Sequence, residues 1–470
     1  MTDHLQFAAR VMLELPYVPN RQQEAVIVAL ARFCCDPSCA DRVFVLNGYA
    51  GTGKSSLTGA LVKAMTSAGM KSQLLAPTGR AAKVFSGYAG KPAFTIHRKI
   101  YRHLPGADFS GAPAPRDNNE TDTLFIVDEA SMIGGEDERG SNLLEDLLQY
   151  VYAGQNCRLV LIGDTAQLPP VGSETSPAMD PDRLHRAGLK VTRATMTETA
   201  RQHRQSGILY NATWLRRAML SPELPEPRLF VNDFPDVSVV SGEELSERLE
   251  TAYSRDGVDQ TLIITRSNRI ARDYNLAIRN NVLYVEDELM RGDLLIVAKN
   301  NYFWSRKVKG MDFIANGDVV RIERVYGLEV RYGFRFVDVS LSMPDRDTAF
   351  DAKIMLATLF SETAGLPRED IEKLYYTMID DPDTFPADMP YDTRLRLLRD
   401  NPYWNALQVK YAYAATCHKA QGGQWANIFV DLSYIPPEAM GIDFYRWLYT
   451  AVTRATGSLT FINAPEDSVR

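Results

Sequence analysis

"RVFVLNGYAGTGKSSL" (residues 42–57) is the stretch on which the fold turns. Residues 42–47 are apolar and β-prone, the next few are glycine-rich, and from about Lys54 to Ala68 the pattern is helical. A strand, a tight turn and a helix, with G-x-x-x-x-G-K-[ST] across the turn, make a phosphate cradle. Gly48, Gly51 and Gly53 let the backbone fold so that consecutive N–H groups, through Thr52 to Ser56, point inward at the helix N-terminus. Lys54 then reaches the β- and γ-phosphates, and the Ser55 hydroxyl can ligate Mg²⁺.

Outward from this unit the alternation continues. "SQLLA" (72–76), "TLFIVDE" (123–129) and "CRLVLIGD" (157–164) read as strands. A helix opens over 81–86, and "NLLEDLLQYVYA" (142–153) is a second one. Short apolar runs separated by helical periodicity predict an α/β fold with a parallel, doubly wound sheet. Between them, residues 101–123 are too rich in Gly, Pro, Asp and Asn for a core element and form an exposed excursion.

The pattern resumes with strand "TLIITRSN" (261–268) and helix "RIARDYNLAIRNN" (269–281). Later come "QVKYAYAAT" (408–416), "NIFVDLS" (427–433), helix "FYRWLYTAV" (444–452) and "SLTFINA" (458–464). These predict one second α/β domain carrying an insertion. Within the insertion, 292–341 is β-rich and suggests a small antiparallel barrel, while 345–404 reads as helical. The expected organisation is therefore 1–194, with an excursion at 102–122; then 195–290 together with 406–470; and an insertion at 291–405.

Composition sets the limits. The chain has 470 residues, 45% apolar and 24% charged, so it has material for several cores. No run is long and apolar enough to span a membrane, and the first twenty residues lack the pattern of a signal peptide. Five cysteines, an odd and small number, fit a reducing compartment, and a cytoplasmic location is expected. "CCDPSC" (34–39) has no second Cys/His pair at zinc spacing and reads as structural thiols. A formal net charge of −7 argues against non-specific coating of nucleic acid, although a local basic channel is compatible with it.

Further chemistry lies at strand ends. Asp128 can hold Mg²⁺ opposite Ser55, and Glu129 can position the attacking water. Asp164 and Gln167 follow the next strand, where a glutamine can sense a γ-phosphate and the Pro-Pro pair stiffens the loop. Gln22 carries an amide that matches an adenine edge, and it can equally be a helix-surface residue. Arg201 and Arg454 could project onto a γ-phosphate across a cleft, and read alone they are as readily surface or ion-paired arginines.

The ordered set "QQEA", "GYAGTGKSS", "APTGRAAK", "TIHR", "VDEASM", "GDTAQLPPVG", "TARQ", "TCHKAQGGQW" and "LYTAVTRA" resembles the superfamily-one helicases, in particular the RecD and Dda branch. The resemblance implies two RecA-like P-loop domains with ATP and Mg²⁺ between them and single-stranded DNA crossing both. It implies Gln22 at adenine, Lys54 and Ser55 at phosphate and metal, Asp128 and Glu129 as metal and catalytic carboxylates, and Gln167 as sensor. Arg201 and Arg454 would be the γ-phosphate arginines. Thr78, His97, Thr416 and His418 would face the DNA backbone, with Arg80 beside them, while Gln421 and Gly422 would face the phosphates. "GGQW" departs from the Gly-Ser usual at that loop exit.

The resemblance further implies 5′-to-3′ movement, a monomer acting at single-strand/duplex junctions, and repair or replication proteins as partners. The 102–122 excursion stands where the branch carries a strand-separating pin, and a plain surface loop is the competing reading. The run "KNNYFWSRKVK" (299–309) could stack bases or form a hairpin's aromatic core. An RNA helicase, or a nucleotide-switched nucleic-acid-binding protein that never unwinds, remains open. No clustered-carboxylate nuclease site is present, so no nuclease activity is expected.

Overall fold

A computed structural model describes the chain except residues 1, 2, 37–40, 102–114, 136–141, 200–205, 309, 310, 312, 344–347, 364, 387 and 434. Strands β1 (Arg42–Gly48), β2 (Lys71–Ala76), β3 (Ala93–Thr95), β4 (Thr123–Val127), β5 (Arg158–Gly163) and β6 (Lys190–Met196) form a parallel sheet in the order β3-β2-β4-β5-β1-β6. The central strands β1, β4 and β5 are buried on both faces, which is why their sequences are continuous apolar runs rather than alternating ones. β6 lies at the edge and is largely exposed, so its Lys, Thr and Arg residues hide it from a pattern search.

The helices split between the two faces. His4–Leu13, Arg21–Cys35 and Lys54–Ser67 cover one side through Phe7, Ile27, Leu30 and Leu61. Leu143–Ala153 covers the other through Leu144, Leu147 and Val151. This doubly wound arrangement puts the P-loop, Asp128 and Asp164 together at the carboxyl edges of β1, β4 and β5.

After β7 (Val237–Val240) and β8 (Thr261–Thr265) the chain leaves for a second kind of sheet. Strands β9 (Leu294–Val297), β10 (Val319–Arg331), β11 (Phe334–Met343), β12 (Thr348–Met355) and β13 (Val409–Tyr411) pair antiparallel in the order β12-β11-β10-β9-β13. A bridge between Ile354 and Leu407 links the β12 edge to the residues just ahead of β13. The chain then returns with β14 (Ala414–Thr416), β15 (Trp425–Asp431) and β16 (Ala455–Ile462), which join β7 and β8 in a parallel sheet of order β14-β8-β15-β16-β7.

Two expectations change here. Residues 348–355, expected within a helical stretch, form β12, which pairs antiparallel with β11 and is buried at Phe350 and from Ala352 to Met355. Residues 408–416, expected as one strand of the second sheet, form two strands that serve different sheets. Between them the Asn275 amide oxygen accepts from the N–H groups of Tyr413 (3.0 Å) and Ala414 (2.8 Å), and its Nδ2 donates to the Ala414 carbonyl (2.9 Å). A side chain thus takes the backbone bonds that would have continued one ladder. The helices Arg368–Ile379 and Tyr391–Arg399 pack on the antiparallel sheet through Leu374, Met378 and Leu398 against Phe334 and Phe336.

A buried ion pair joins the second parallel sheet's helix Asn268–Asn281 to the antiparallel sheet. Arg279 forks onto Asp293 with Nε–Oδ1 at 3.0 Å and Nη2–Oδ2 at 2.9 Å, and Tyr413 donates to the same carboxylate at 2.8 Å.

Candidate nucleotide site and nucleic-acid face

The P-loop is held open by glycine geometry and braced from behind. Gly51 and Gly53 adopt φ of 73° and 87°, in the left-handed region that costs other residues energy. A Cβ at Gly53 would stand 2.5 Å from the Tyr17 hydroxyl and 2.8 Å from Gln23 Nε2. Gln23 is the buried member of the "QQ" pair. Its Nε2 donates to the Thr52 carbonyl at 2.9 Å, and its Oε1 closes a capping box with Asn20. Gln22 turns the other way, accepting from the N–H groups of Thr197 (2.8 Å) and Glu198 (3.0 Å) and donating to Thr197 Oγ1 (3.1 Å). Adjacent glutamines therefore tie the P-loop and the exit from β6 to one helix N-terminus.

Lys54 donates to the carbonyls of Gly48 and Tyr49 and lies 3.8 Å from Asp164 Oδ2. Asp128 and Glu129 follow β4. Glu129 has φ 53°, an uncommon conformation for a residue with a side chain, and its N–H donates to Asp128 Oδ1 at 2.9 Å. Tyr88 donates to the other Asp128 oxygen, and the same phenol hydrogen-bonds with Ser55. Ser55 and Asp128 thus face one point with hard oxygen donors, which fits Mg²⁺. Burial pushes both carboxyls above their usual range. The Asp128 charge raises Glu129 further, while Arg454 and Lys54 pull it back.

The Asp164–Leu168 loop meets the second parallel sheet. Tyr449, on the helix Ile442–Val452, donates to Asp164 Oδ2 at 2.7 Å and accepts from the Ala50 N–H of the P-loop at 2.8 Å. Leu168 donates its N–H to Thr450 Oγ1 (2.8 Å), and its carbonyl accepts from Gln421 Nε2 (2.9 Å). Gln167 is buried, and its Oε1 finds no hydrogen-bond partner among the described residues. Arg454 is buried too, with Nε on the Thr450 carbonyl (3.0 Å), Nη1 on the Gly423 carbonyl (3.3 Å) and Nη2 on Thr453 Oγ1 (3.0 Å). Arg201 lies outside the described residues.

Of the expected backbone-facing residues, Thr78 and Arg80 lie against the Gly422–Trp425 segment of the second parallel sheet. Thr78 caps the helix Gly79–Ala89 through the Ala81 N–H at 3.2 Å, and Arg80 stacks 3.7 Å above the Trp425 ring. Gly422, expected near the phosphates, lies against Thr78 and Ala81, and Gly423 lies against Arg80. His97 packs its ring 5.6 Å from that of Tyr101. Thr416 ends β14, and His418 is exposed on the short helix Cys417–Ala420. Cys417 is buried among apolar side chains, which pushes its thiol up to about 12 and makes it inert.

A cleft of ≈ 340 Å³ beside this face is lined by Arg80, Lys83, Lys419 and Trp425. In the 299–309 run, Trp304 Nε1 donates to the Asn405 carbonyl at 2.8 Å and the ring packs on the antiparallel sheet's core. Lys309, and residues 102–114 of the excursion with Phe109, lie outside the described residues. The sequence reading did not pick out Tyr17, Gln23, Tyr88 or Tyr449. The first two flank a motif, but the two phenols carry no spacing signal at all.

A phosphate loop, paired carboxylates and a buried arginine from a second parallel sheet define the class: a P-loop NTPase with two RecA-like halves. Residues 20–219 match an AAA domain model, and residues 411–462 match the UvrD-like helicase C-terminal domain. The chain is 30% identical over 284 residues to the ATP-dependent RecD2 DNA helicase of Deinococcus radiodurans, covering 57% of this chain and 35% of that protein. It is 25% identical over 302 residues to the ATP-dependent DNA helicase dda of Enterobacteria phage T4, covering 62% of this chain and 64% of that protein. It thus spans about a third of one curated relative and under two thirds of the other. Among solved structures, Pif1 helicase from Bacteroides in complex with ADP-AlF3 and ssDNA aligns at TM-score 0.47 and 14% identity, over 95% of this chain and 93% of that one. The chain is thus similar to ATP-dependent DNA helicases of the RecD and Dda kind. No helix among the described residues is long and apolar enough to cross a membrane.

Proposed function

We propose that this chain is an ATP-dependent DNA helicase that translocates 5′-to-3′ on single-stranded DNA and opens duplex at junctions, acting as a cytoplasmic monomer. The observation that carries the reading is the convergence, at one site, of the P-loop and Asp128–Glu129 pair with Arg454 from the opposite sheet. The names of the two curated relatives support DNA as the substrate. The working units are 1–194, 195–290 with 406–470, and 291–405.

In this reading Gln22 frames the adenine, and the amides from Gly51 to Ser56 with Lys54 hold the phosphates. Ser55 and Asp128 hold Mg²⁺, which neutralises phosphate oxygens when bound. Glu129 orients the attacking water, Gln167 reads the γ-phosphate, and Arg201 and Arg454 stabilise its developing charge. Arg454 would leave the Gly423 and Thr450 carbonyls to do so, and that movement couples hydrolysis to Gly422–Gly423 and hence to Thr78 and Arg80. Thr78, His97, Thr416 and His418 grip the DNA backbone.

The test is ATP hydrolysis with DNA and RNA homopolymers, followed by unwinding of 5′- and 3′-tailed duplexes. Stimulation by DNA and opening of the 5′-tailed substrate are expected. Equal stimulation by RNA would favour an RNA helicase. No stimulation by either polymer would leave only a nucleotide-switched binding protein.

A further inference from the structure

The Tyr449 hydroxyl makes two hydrogen bonds, both to the opposite half of the molecule. It accepts from the Ala50 N–H, inside the P-loop, and donates to Asp164 Oδ2, the carboxylate that faces Lys54 at 3.8 Å. Its ring is 1% exposed and packs in the core of the second parallel sheet. The next residue, Thr450, takes the Leu168 N–H through its hydroxyl and the Arg454 guanidinium through its carbonyl. One side chain therefore fixes the register between the P-loop and the helix that leads into Arg454.

We propose that Tyr449 is a positioning residue for triphosphate hydrolysis, a hydroxyl latch that sets where Arg454 stands relative to the P-loop. The proposal rests on the two-domain ATPase reading above. The chemistry is specific to a neutral phenol. Burial and the Asp164 charge hold it well above its ordinary range, so it stays protonated and can donate to the carboxylate while accepting from the amide. A displacement of an ångström in the reacting geometry costs about a hundredfold in rate. A lost latch should thus appear in turnover and leave nucleotide affinity alone.

Tyr449→Phe keeps the buried ring and removes both hydrogen bonds. In the full chain with single-stranded DNA, we expect kcat to fall about 10- to 100-fold. The KM for ATP and the affinity for a fluorescent ATP analogue should stay within about threefold of wild type. In an Arg454→Ala background the same substitution should cost less than about threefold, because residues that act as a unit are not additive. Unchanged kcat, or a loss that multiplies with that of Arg454→Ala, overturns the latch.

A second pair of variants guards against misfolding. Asp164→Asn and Asp164→Ala both remove the charge facing Lys54, but only the amide still accepts from the phenol. Asp164→Asn should retain about tenfold more kcat than Asp164→Ala, and equal losses overturn the proposal. If the wild-type chain shows no nucleic-acid-stimulated hydrolysis, the functional reading fails. If it does and these variants behave otherwise than stated, only the latch fails.

Discussion

Gly422 lies so close to Ala81 that a Cβ at Gly422 would stand 2.9 Å from the Ala81 Cβ and 3.3 Å from Thr78 Oγ1. Gly79, on the same helix N-terminus, is pressed from another side, since a Cβ there would stand 2.8 Å from the Ala315 Cβ and 3.0 Å from Asp318 Oδ1. The first turn of the helix Gly79–Ala89 is therefore where the first parallel sheet, the second and the antiparallel insertion meet.

Gly422→Ala tests that junction. The backbone at 422 has φ 72°, and the added methyl has rigid neighbours on the other side, so about 1–3 kcal/mol of stability should be lost. Nucleic-acid-stimulated hydrolysis should fall more than basal hydrolysis, because the contact joins the face proposed to grip DNA to the nucleotide cleft. Thermal unfolding and ATPase rates with and without single-stranded DNA measure both effects. Equal loss in the two rates would separate this contact from coupling.

Arg454 and Lys54 should fail differently. Arg454 spends its donors on Thr450, Gly423 and Thr453, all on its own side of the cleft, so its removal leaves the P-loop geometry untouched. Arg454→Ala should bind ATP normally and lose about 10³–10⁵-fold in hydrolysis. Lys54→Ala removes the cation that pairs with Asp164 and reaches the phosphates, and turnover should vanish. Nucleotide binding by fluorescence, set beside steady-state turnover, distinguishes the two. Normal turnover in Arg454→Ala would detach the second sheet from catalysis.

Much of this arrangement was legible in the sequence where local chemistry and fold agree. Gly51 and Gly53 sit at positive φ because the turn demands it, and β1, β4 and β5 read as apolar runs because both their faces are buried. What stayed hidden depends on tertiary choice. β6 is a polar edge strand, and 408–416 was divided between two sheets by one buried asparagine. Of two adjacent glutamines, only the capping geometry tells which braces the P-loop. Tyr88 and Tyr449 are single phenols whose partners lie 40 and 285 residues away, at Asp128 and Asp164. No pattern in the sequence could have found them.

Lys410 offers a pH signature. Burial, with Lys419 and Arg272 nearby, lowers its ammonium from 10.5 to about 8. Below about pH 8 the folded and unfolded chains both hold the proton, and the folded chain carries the whole penalty. Between about 8 and 10.5 the unfolded chain binds more protons, so the stability contributed by this residue rises with pH. Lys410→Met should therefore be more stable than wild type near neutrality, with the difference shrinking as pH climbs through that window. Urea unfolding at about pH 7 and about pH 9.5 measures it, and a pH-independent difference would assign the effect to packing alone.

The Arg279–Asp293 pair should govern how firmly the insertion is seated. Both side chains are at most 3% exposed, the fork is bidentate, and Tyr413 adds a further bond to the carboxylate. Removing one partner strands a charge without water, so Arg279→Ala or Asp293→Ala should each cost about 3–5 kcal/mol. Replacing both with apolar residues of similar volume should cost much less, since no charge is then left buried. Tyr413→Phe, which removes one of the four hydrogen bonds to the Asp293 carboxylate, should fall between wild type and the single-charge variants. Denaturant unfolding of the four variants gives the order. A double replacement as damaging as the single ones would show that this pair specifies how the insertion docks, beyond balancing its own charges.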